Sequence, residues 1–301
     1  MKILYNQFLG TVEDADPYKK DVRVLVDCHI HMVLDGEYWR SAIARHAGEP
    51  DVTYIGKTLA RYRETGFTYL RDGGDRWGVG KTARELAPEY GIRYRTPLAP
   101  LHKAGHYGSI VGISFEDTKE YQQLVKEQKA QGADFIKIMI SGLMDFNRYG
   151  ALSEAPLTGE EIRQMVAIAH DAGLSVMAHA NGESAYWAAI AGVDSVEHGA
   201  YLQSEALFAM KENGTVWVPT VSTVANLRGK GRYDETAVQQ ILGDFYEKLR
   251  QFEKLGGYIA SGSDAGAWQV PHGSQETDFL LEAGVSPQTI EKSNQVIIDK
   301  F

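Results

Sequence analysis

The sequence predicts a single (β/α)8 barrel, the TIM-barrel architecture. Short apolar runs alternate with segments of helical periodicity along the whole chain of 301 residues. Most of these runs are apolar throughout rather than alternating, which is typical of strands buried on both faces of a parallel sheet. A doubly wound open sheet is the alternative, but no G-x-G-x-x-G pattern follows the first strand. We expect residues 22–301 to form one barrel domain and residues 1–21 to be an N-terminal lead.

Eight strands are predicted, each followed by helical sequence. They are Val22–Cys28 (continuing into His29-Ile30-His31), Phe67–Asp72, Arg93–Ala99, Asp134–Ile140, Leu174–Ala178, Val193–Val196, Thr215–Thr220 and Tyr258–Ser261. The predicted helices are Tyr54–Glu64, Gly80–Tyr90, Phe115–Gln131, Thr158–Gly173, Ser184–Ala191, Ser204–Glu212 and Asp234–Leu255, with two more at the end. Thr158 and Glu161 have the spacing of a capping box, which indicates a helix start.

Composition narrows the function classes. The formal net charge is −9, which disfavours a nucleic acid or an anionic membrane as partner and leaves a small-molecule substrate. The first residues lack the apolar core of a signal peptide, and no run approaches the length of a membrane span. Cys28 is the one cysteine, so no intrachain disulfide can form. A cytoplasmic protein is expected, and assembly into a homo-oligomer is compatible with the sequence.

Polar residues recur at the carboxyl ends of the predicted strands. Side chains alternate along a strand, so His29 and His31 share one face. The further members of this set are Lys137, His179, His198 and Asp264. Taken singly, each histidine could be a hydrogen-bonded core residue, and Asp264 could cap a turn. Together they favour a metal site, because catalytic residues of such barrels come from the ends of several strands on one face.

Lys137 is the most informative member of the set. It lies within Phe135-Ile-Lys-Ile-Met-Ile140, which is apolar on both faces. Burial lowers the pKa of a lysine toward the neutral amine, and a neutral amine can add carbon dioxide to form a carbamate whose two oxygens can bridge two cations. The alternative is a buried lysine paired with a carboxylate. The nearby histidines favour the bridging role.

These motifs resemble the amidohydrolase superfamily of metal-dependent hydrolases. The similarity is greatest to the imidazolonepropionase-related branch that includes Xaa-Pro and N-acyl amino acid dipeptidases. It rests on Asp27-Cys-His29-Ile-His31, Lys137, Met177-Ala-His179-Ala, Glu197-His198-Gly199 and Ser263-Asp264-Ala-Gly266, and extends from about Val22 to the last helix. Members of that family usually carry a small β-sandwich built from both termini. The short lead predicts that this sandwich is missing or vestigial here.

The resemblance implies a site with two divalent metal ions. His29, His31 and Asp264 would hold one, and His179 and His198 the other, with N6-carboxylated Lys137 and a hydroxide as bridges. Zn²⁺ is the expected metal, and Mn²⁺, Ni²⁺ and Co²⁺ suit the same ligand types. Asp264 would also be catalytic, taking a proton from the hydroxide and passing it to the leaving amine.

The reaction expected from this resemblance is hydrolysis of an amide bond in a small molecule such as a dipeptide or an N-acyl amino acid. A lactone, a carbamate or a phosphotriester is the alternative substrate class, and a non-catalytic metal-binding barrel is a remote one. The loops on the same face carry the candidate substrate-binding residues, which are His106, Tyr201, His272 and Arg228. For Arg228, a solvated basic loop is an equally good interpretation.

Overall fold

The computed structural model describes residues 25–267 and 275–301. Its strands are β1 Leu25–Ile30, β2 Phe67–Asp72, β3 Arg93–Arg95, β4 Leu101–Lys103, β5 Ile113–Phe115, β6 Ile136–Met139, β7 Val176–Ala180, β8 Ser195–His198, β9 Val216–Val218 and β10 Tyr258–Ile259. Its helices are α1 Trp39–Arg45, α2 Val52–Thr65, α3 Val79–Leu86, α4 Thr118–Ala130, α5 Gly159–Asp171, α6 Glu183–Ala191, α7 Ser204–Asn213, α8 Ser222–Ala225, α9 Glu235–Lys254, α10 Gln275–Ala283 and α11 Pro287–Lys300. The predicted N-terminal lead lies outside the described residues.

The strands pair in parallel throughout both sheets. One sheet has the order β1-β2-β3, and the other has the order β10-β9-β8-β7-β6-β4-β5. Consecutive strands are therefore neighbours from β6 to β10, with a helix in each crossover, as a right-handed βα succession requires. The α/β class and the parallel pairing predicted from the sequence are confirmed.

Backbone hydrogen bonds join the two sheets at two places. On one side, the Cys28 amide donates to the Ser261 carbonyl over 2.8 Å, and the His31 amide donates to the Ala265 carbonyl over 2.7 Å. On the other side, the Asp134 amide donates to the Thr96 carbonyl over 3.0 Å, linking the ends of β3 and β6. The eight predicted strands correspond to β1, β2, β3, β6, β7, β8, β9 and β10, while β4, which pairs directly with β6, and β5 were not predicted.

Side-chain caps mark where several helices begin. Thr158 forms the predicted capping box, since its hydroxyl accepts from the Glu161 amide and the Glu161 carboxylate accepts from the Thr158 amide. Asp51, Asp117 and Asp234 cap α2, α4 and α9 in the same way through one carboxylate oxygen each. The start predicted for the third helix, Phe115, is wrong, because the Asp117 cap places the first residue of α4 at Thr118 and Phe115 ends β5.

Two segments depart from the predicted elements. The predicted strand Arg93–Ala99 stops at Arg95, and the chain resumes as β4 only at Leu101. Between them, Pro97 lacks an amide hydrogen and Leu98 has a left-handed backbone with φ of 67°, so the ladder is interrupted. The helix α1 lies between the first predicted strand and the predicted helix Tyr54–Glu64, where no element was predicted.

The apolar core lies between the strands and the surrounding helices, and a smaller cluster fills the amino-terminal end of the barrel. The smaller cluster includes Cys28, Phe135, Ile297 and Phe301. The Phe301 ring, which follows α11, lies 4.4 Å from the guanidinium carbon of Arg71 inside the barrel. Cys28 is fully buried in this cluster, which is consistent with its interpretation as a packing residue.

Candidate metal centre

Three of the predicted metal ligands converge at the carboxyl ends of β1 and β10. Oδ1 of Asp264 lies 3.5 Å from Nε2 of His29 and 3.3 Å from Nε2 of His31. One donor atom from each of these residues lies within 4.8 Å of the other two. One divalent cation can bind nitrogen and oxygen donors at this spacing.

Glu197 fixes the orientation of His29. The Nδ1–H of His29 donates to Oε2 of Glu197 over 2.7 Å, and both side chains are fully buried. The proton on Nδ1 leaves a lone pair on Nε2, which faces Asp264. Burial, reinforced by the positive charge of Lys137, holds the pKa of His29 well below its usual range, so the ring is neutral. A neutral imidazole with a free Nε2 is the form that binds a metal.

His179 and His198 form a second group beside the first. Their ring centroids are 4.6 Å apart, and the His198 ring lies 5.1 Å from the His29 ring. Nδ1 of His198 lies 2.7 Å from the Thr220 hydroxyl, which leaves Nε2 free. Nε2 of His179 lies 3.3 Å from the Gly142 carbonyl, an acceptor, so its Nδ1 carries the lone pair. Burial lowers the pKa of His179 to about 3.

Lys137 points an unpaired ammonium into the barrel. The residue is 1% exposed on β6, and its Nζ has no hydrogen-bond partner among the described residues. Burial lowers its pKa to about 8, although the Glu197 carboxylate opposes this shift. The alternative interpretation, a lysine in direct contact with a carboxylate, is not what the described residues show. A buried nitrogen without a partner is costly, which indicates that another group satisfies it.

The buried ion pair between Arg71 and Glu197 lies next to the His29 ligand. Arg71 on β2 donates to Oε1 of Glu197 over 2.8 Å, to the Ser195 hydroxyl over 2.9 Å and to the Cys28 carbonyl over 2.6 Å. Both charged side chains are fully buried. Because Glu197 also holds His29, the guanidinium fixes the carboxylate that orients this ligand.

The backbone at the site is strained at three strand ends. His198, Thr220 and Asp264 have φ values of 66°, 49° and 56°, in the left-handed region that side chains with a Cβ rarely adopt. Such strain clusters at functional sites. Gly73 matters for a different reason, since a Cβ there would collide with the His31 ring.

Three of the four predicted substrate-binding residues lie in the part of the chain that the structure describes. Nδ1 of His106 is 3.3 Å from the Glu154 carboxylate. The Tyr201 ring lies 5.3 Å from that of Tyr149. Arg228 pairs with Glu282 over 3.2 Å, so its charge already has a carboxylate partner. His272 lies outside the described residues. Contact of these four with a substrate stays a prediction.

Tyr149 belongs to a hairpin in the loop after β6. An antiparallel bridge joins Met144 to Leu152. The tip of this hairpin reaches the start of α9, where the Asp234 amide donates to the Asn147 side-chain oxygen over 3.0 Å. The loop therefore extends across the face of the barrel that carries the ligands.

Sequence reasoning missed several residues of the site. Tyr107 places its ring 4.9 Å from that of His179, although only its neighbour His106 was a candidate. The Nδ2 of Asn181 lies 3.4 Å from Nε2 of His179. Thr220 and Arg71 were read only as parts of strands. A signal existed for Arg71, because an arginine within an apolar run needs an acidic partner.

Comparison with known sequences identifies the family. Residues 25–292 match the model described as the Amidohydrolase family. An ochratoxinase of Aspergillus niger is 29% identical over 297 residues, which covers 86% of this chain and 60% of the ochratoxinase. An uncharacterized protein of Mycobacterium bovis is 28% identical over 273 residues, covering 87% of this chain and 69% of that protein.

Solved structures agree on the fold. A Xaa-Pro dipeptidase with methionine bound in its active site superposes with a TM-score of 0.72 at 23% identity, covering 92% of this chain and 75% of the dipeptidase. The A. niger ochratoxinase structure also has a TM-score of 0.72 at 23% identity, covering 91% of this chain and 68% of that chain. A phenylurea hydrolase is more distant, with a TM-score of 0.61 at 16% identity over 92% of this chain and 74% of the other.

Proposed function

We propose, since this chain belongs to the amidohydrolase family, that it hydrolyses an amide bond in a small molecule such as a dipeptide or an N-acyl amino acid. The observation that carries this proposal is a set of buried polar atoms, on three of the predicted ligands, that have no hydrogen-bond partner among the described residues. These atoms are Nε2 of His29, Oδ1 of Asp264 and Nζ of Lys137. The dipeptidase and ochratoxinase neighbours favour a carbon–nitrogen bond as the target.

The donor set fits two divalent cations. His29, His31 and Asp264 would hold one, while His179 and His198 would hold the other, and a carboxylated Lys137 would serve both. Zn²⁺ is the first choice, because nitrogen and oxygen donors without a thiolate are common at its catalytic sites. When bound, such metals lower the pKa of a water molecule and polarise the scissile carbonyl.

The chain's own side chains then supply binding and proton transfer. The Asp264 carboxylate accepts a proton from the attacking water and donates it to the leaving amine. Glu197 keeps the proton of His29 on Nδ1, so that Nε2 stays available. We expect Tyr107 and His106, which follow β4, to contact the substrate. Hydrolysis of a lactone, a carbamate or a phosphotriester would use the same metal ligands and Asp264. The shape of the substrate pocket would therefore decide which of these substrate classes is hydrolysed.

Metal analysis tests the proposal most directly. We expect the purified protein to contain about two equivalents of divalent metal per chain, as two-metal hydrolases do. A chelator should abolish hydrolysis, and added Zn²⁺ should restore it. Lys137→Met should retain at most one equivalent, whereas Lys119→Met, on the exposed face of α4, should retain both.

A substrate screen completes the test. A panel of dipeptides, N-acyl amino acids, lactones and phosphotriesters should show turnover among the first two classes. Full activity in metal-free protein, or turnover confined to lactones or phosphotriesters, would contradict the proposal. Metal binding without turnover on any class would favour the non-catalytic barrel.

A further inference from the structure

A buried carboxylate outside the ligand set contacts the turn that follows β9. Glu276 lies in the first turn of α10 and is 2% exposed. Its two oxygens accept from the amides of Val221 and Ser222 over 2.8 and 2.7 Å. Desolvation of a carboxylate is costly, and here two backbone amides offset it. A carboxylate that is buried despite its desolvation cost indicates that the hydrogen bonds from Glu276 are needed to hold the turn at Val221 and Ser222 in position.

One side of this turn leads to His198. Thr220 directly precedes Val221, and its hydroxyl lies 2.7 Å from Nδ1 of His198. Thr220 is β-branched and has a φ of 49°, a conformation that the surrounding contacts must impose. The Thr220 carbonyl accepts from the Thr223 amide and hydroxyl over 3.0 and 2.8 Å. The turn clamped by Glu276 therefore sets the direction of the hydroxyl that orients His198.

The other side of the turn leads to Asp264. The Ser222 hydroxyl donates to the Ser263 carbonyl over 2.8 Å. Ser263 immediately precedes Asp264, whose own φ is 56°. The turn is thus bonded to both strand ends, and these two strand ends carry one residue from each of the two predicted ligand groups.

We propose that Glu276 is a positioning residue that fixes His198 relative to Asp264 through the Thr220–Ser222 turn. The inference rests on the proposed function, because it assigns Glu276 to the spacing between two metal positions. Glu276 acts through the turn, and Thr220 in that turn contacts His198 directly. Loss of Glu276 should therefore weaken binding of the metal that His179 and His198 would hold before it affects the metal that His29, His31 and Asp264 would hold.

Metal titration of Glu276→Gln tests this inference. Glutamine has the same length, but its amide group faces a backbone N–H and so leaves one of the two donors unpaired. We expect the affinity for one equivalent of Zn²⁺ to fall by a factor of about 10–100, as for other residues that orient ligands. The other equivalent should bind as in the wild type. Glu282→Gln makes the same chemical change on the exposed side of α10 and should bind both equivalents normally.

A second variant, Ser222→Ala, tests the inference if Glu276→Gln does not fold. Ser222→Ala keeps the amide bonded to Glu276 and removes only the link to Ser263, the residue before Asp264. A smaller loss of Zn²⁺ affinity is therefore expected, at the equivalent that Asp264 would hold. Normal affinity for both equivalents in folded Glu276→Gln, or in Ser222→Ala if Glu276→Gln fails to fold, would overturn the inference. An equal loss in Glu282→Gln would also overturn it. If any of these results is found while the wild-type protein binds two equivalents of metal, only the inference about Glu276 fails and the proposed function is unaffected. A wild-type protein that binds no metal would contradict both the inference and the proposed function.

Discussion

Replacing Asp264 with asparagine is expected to lower kcat by a factor of about 10²–10⁴, the usual contribution of a general acid–base group. The amide of asparagine cannot accept the proton that the Asp264 carboxylate is proposed to take. Asparagine is nearly isosteric with aspartate and, like it, tolerates the left-handed backbone found at this position. The fold should therefore persist, and the loss should be chemical. We expect the change mainly in kcat rather than in KM.

The measurement is steady-state kinetics in excess metal, together with metal content and thermal unfolding. Asp117→Asn is the matched control, because it also removes a carboxylate while asparagine still caps α4. This control should retain the wild-type rate. An Asp264→Asn protein that turns over at the wild-type rate with its full metal content would contradict the catalytic assignment.

Removing the Arg71 guanidinium is expected to cost about 3–5 kcal/mol of unfolding free energy, the usual effect of breaking a buried ion pair. In Arg71→Met the Glu197 carboxylate stays buried with only the His29 and Ser195 donors. Urea denaturation of metal-free protein should show this loss. Metal affinity should fall as well, because Glu197 orients His29.

Arg163→Met is the control for this prediction. Arg163 forms an exposed ion pair with Glu160, and solvent screens such pairs so that they contribute little to stability. Arg71→Lys keeps the charge but loses the planar fork, so an intermediate loss is expected, and this variant serves if Arg71→Met does not fold. A stability of Arg71→Met equal to that of Arg163→Met would show that the buried pair is unimportant.

The ligand-bearing strands were predictable because their signals are local. An apolar run followed by histidines with period 2 identifies a buried strand and the shared face of His29 and His31. Parallel strands in a barrel bring their carboxyl ends to one face, so Asp264 could be expected beside these histidines although it is far away in sequence. The structure brings these three together as expected.

Other features depend on contacts that no local pattern records. Arg71 and Glu197 pair across 126 positions, and nothing near either residue specifies the partner. The break between β3 and β4 depends on how the chain between Pro97 and Pro100 crosses the rim. Tyr107 reaches His179 because of the path of its loop, which neither propensity nor periodicity determines.

The hairpin between Met144 and Leu152 is separate from the residues that support the proposed metal ligands. Its contacts described above are with Tyr201 and the start of α9, and none is with a proposed ligand. The proposed metal ligands depend instead on the ends of the β-strands, on the Arg71–Glu197 pair and on Gly73 beside His31. Substitutions at these positions are expected to disturb the ligands. Directed evolution of substrate preference should therefore begin in this hairpin, where new side chains can be sampled without loss of the inherited metal chemistry.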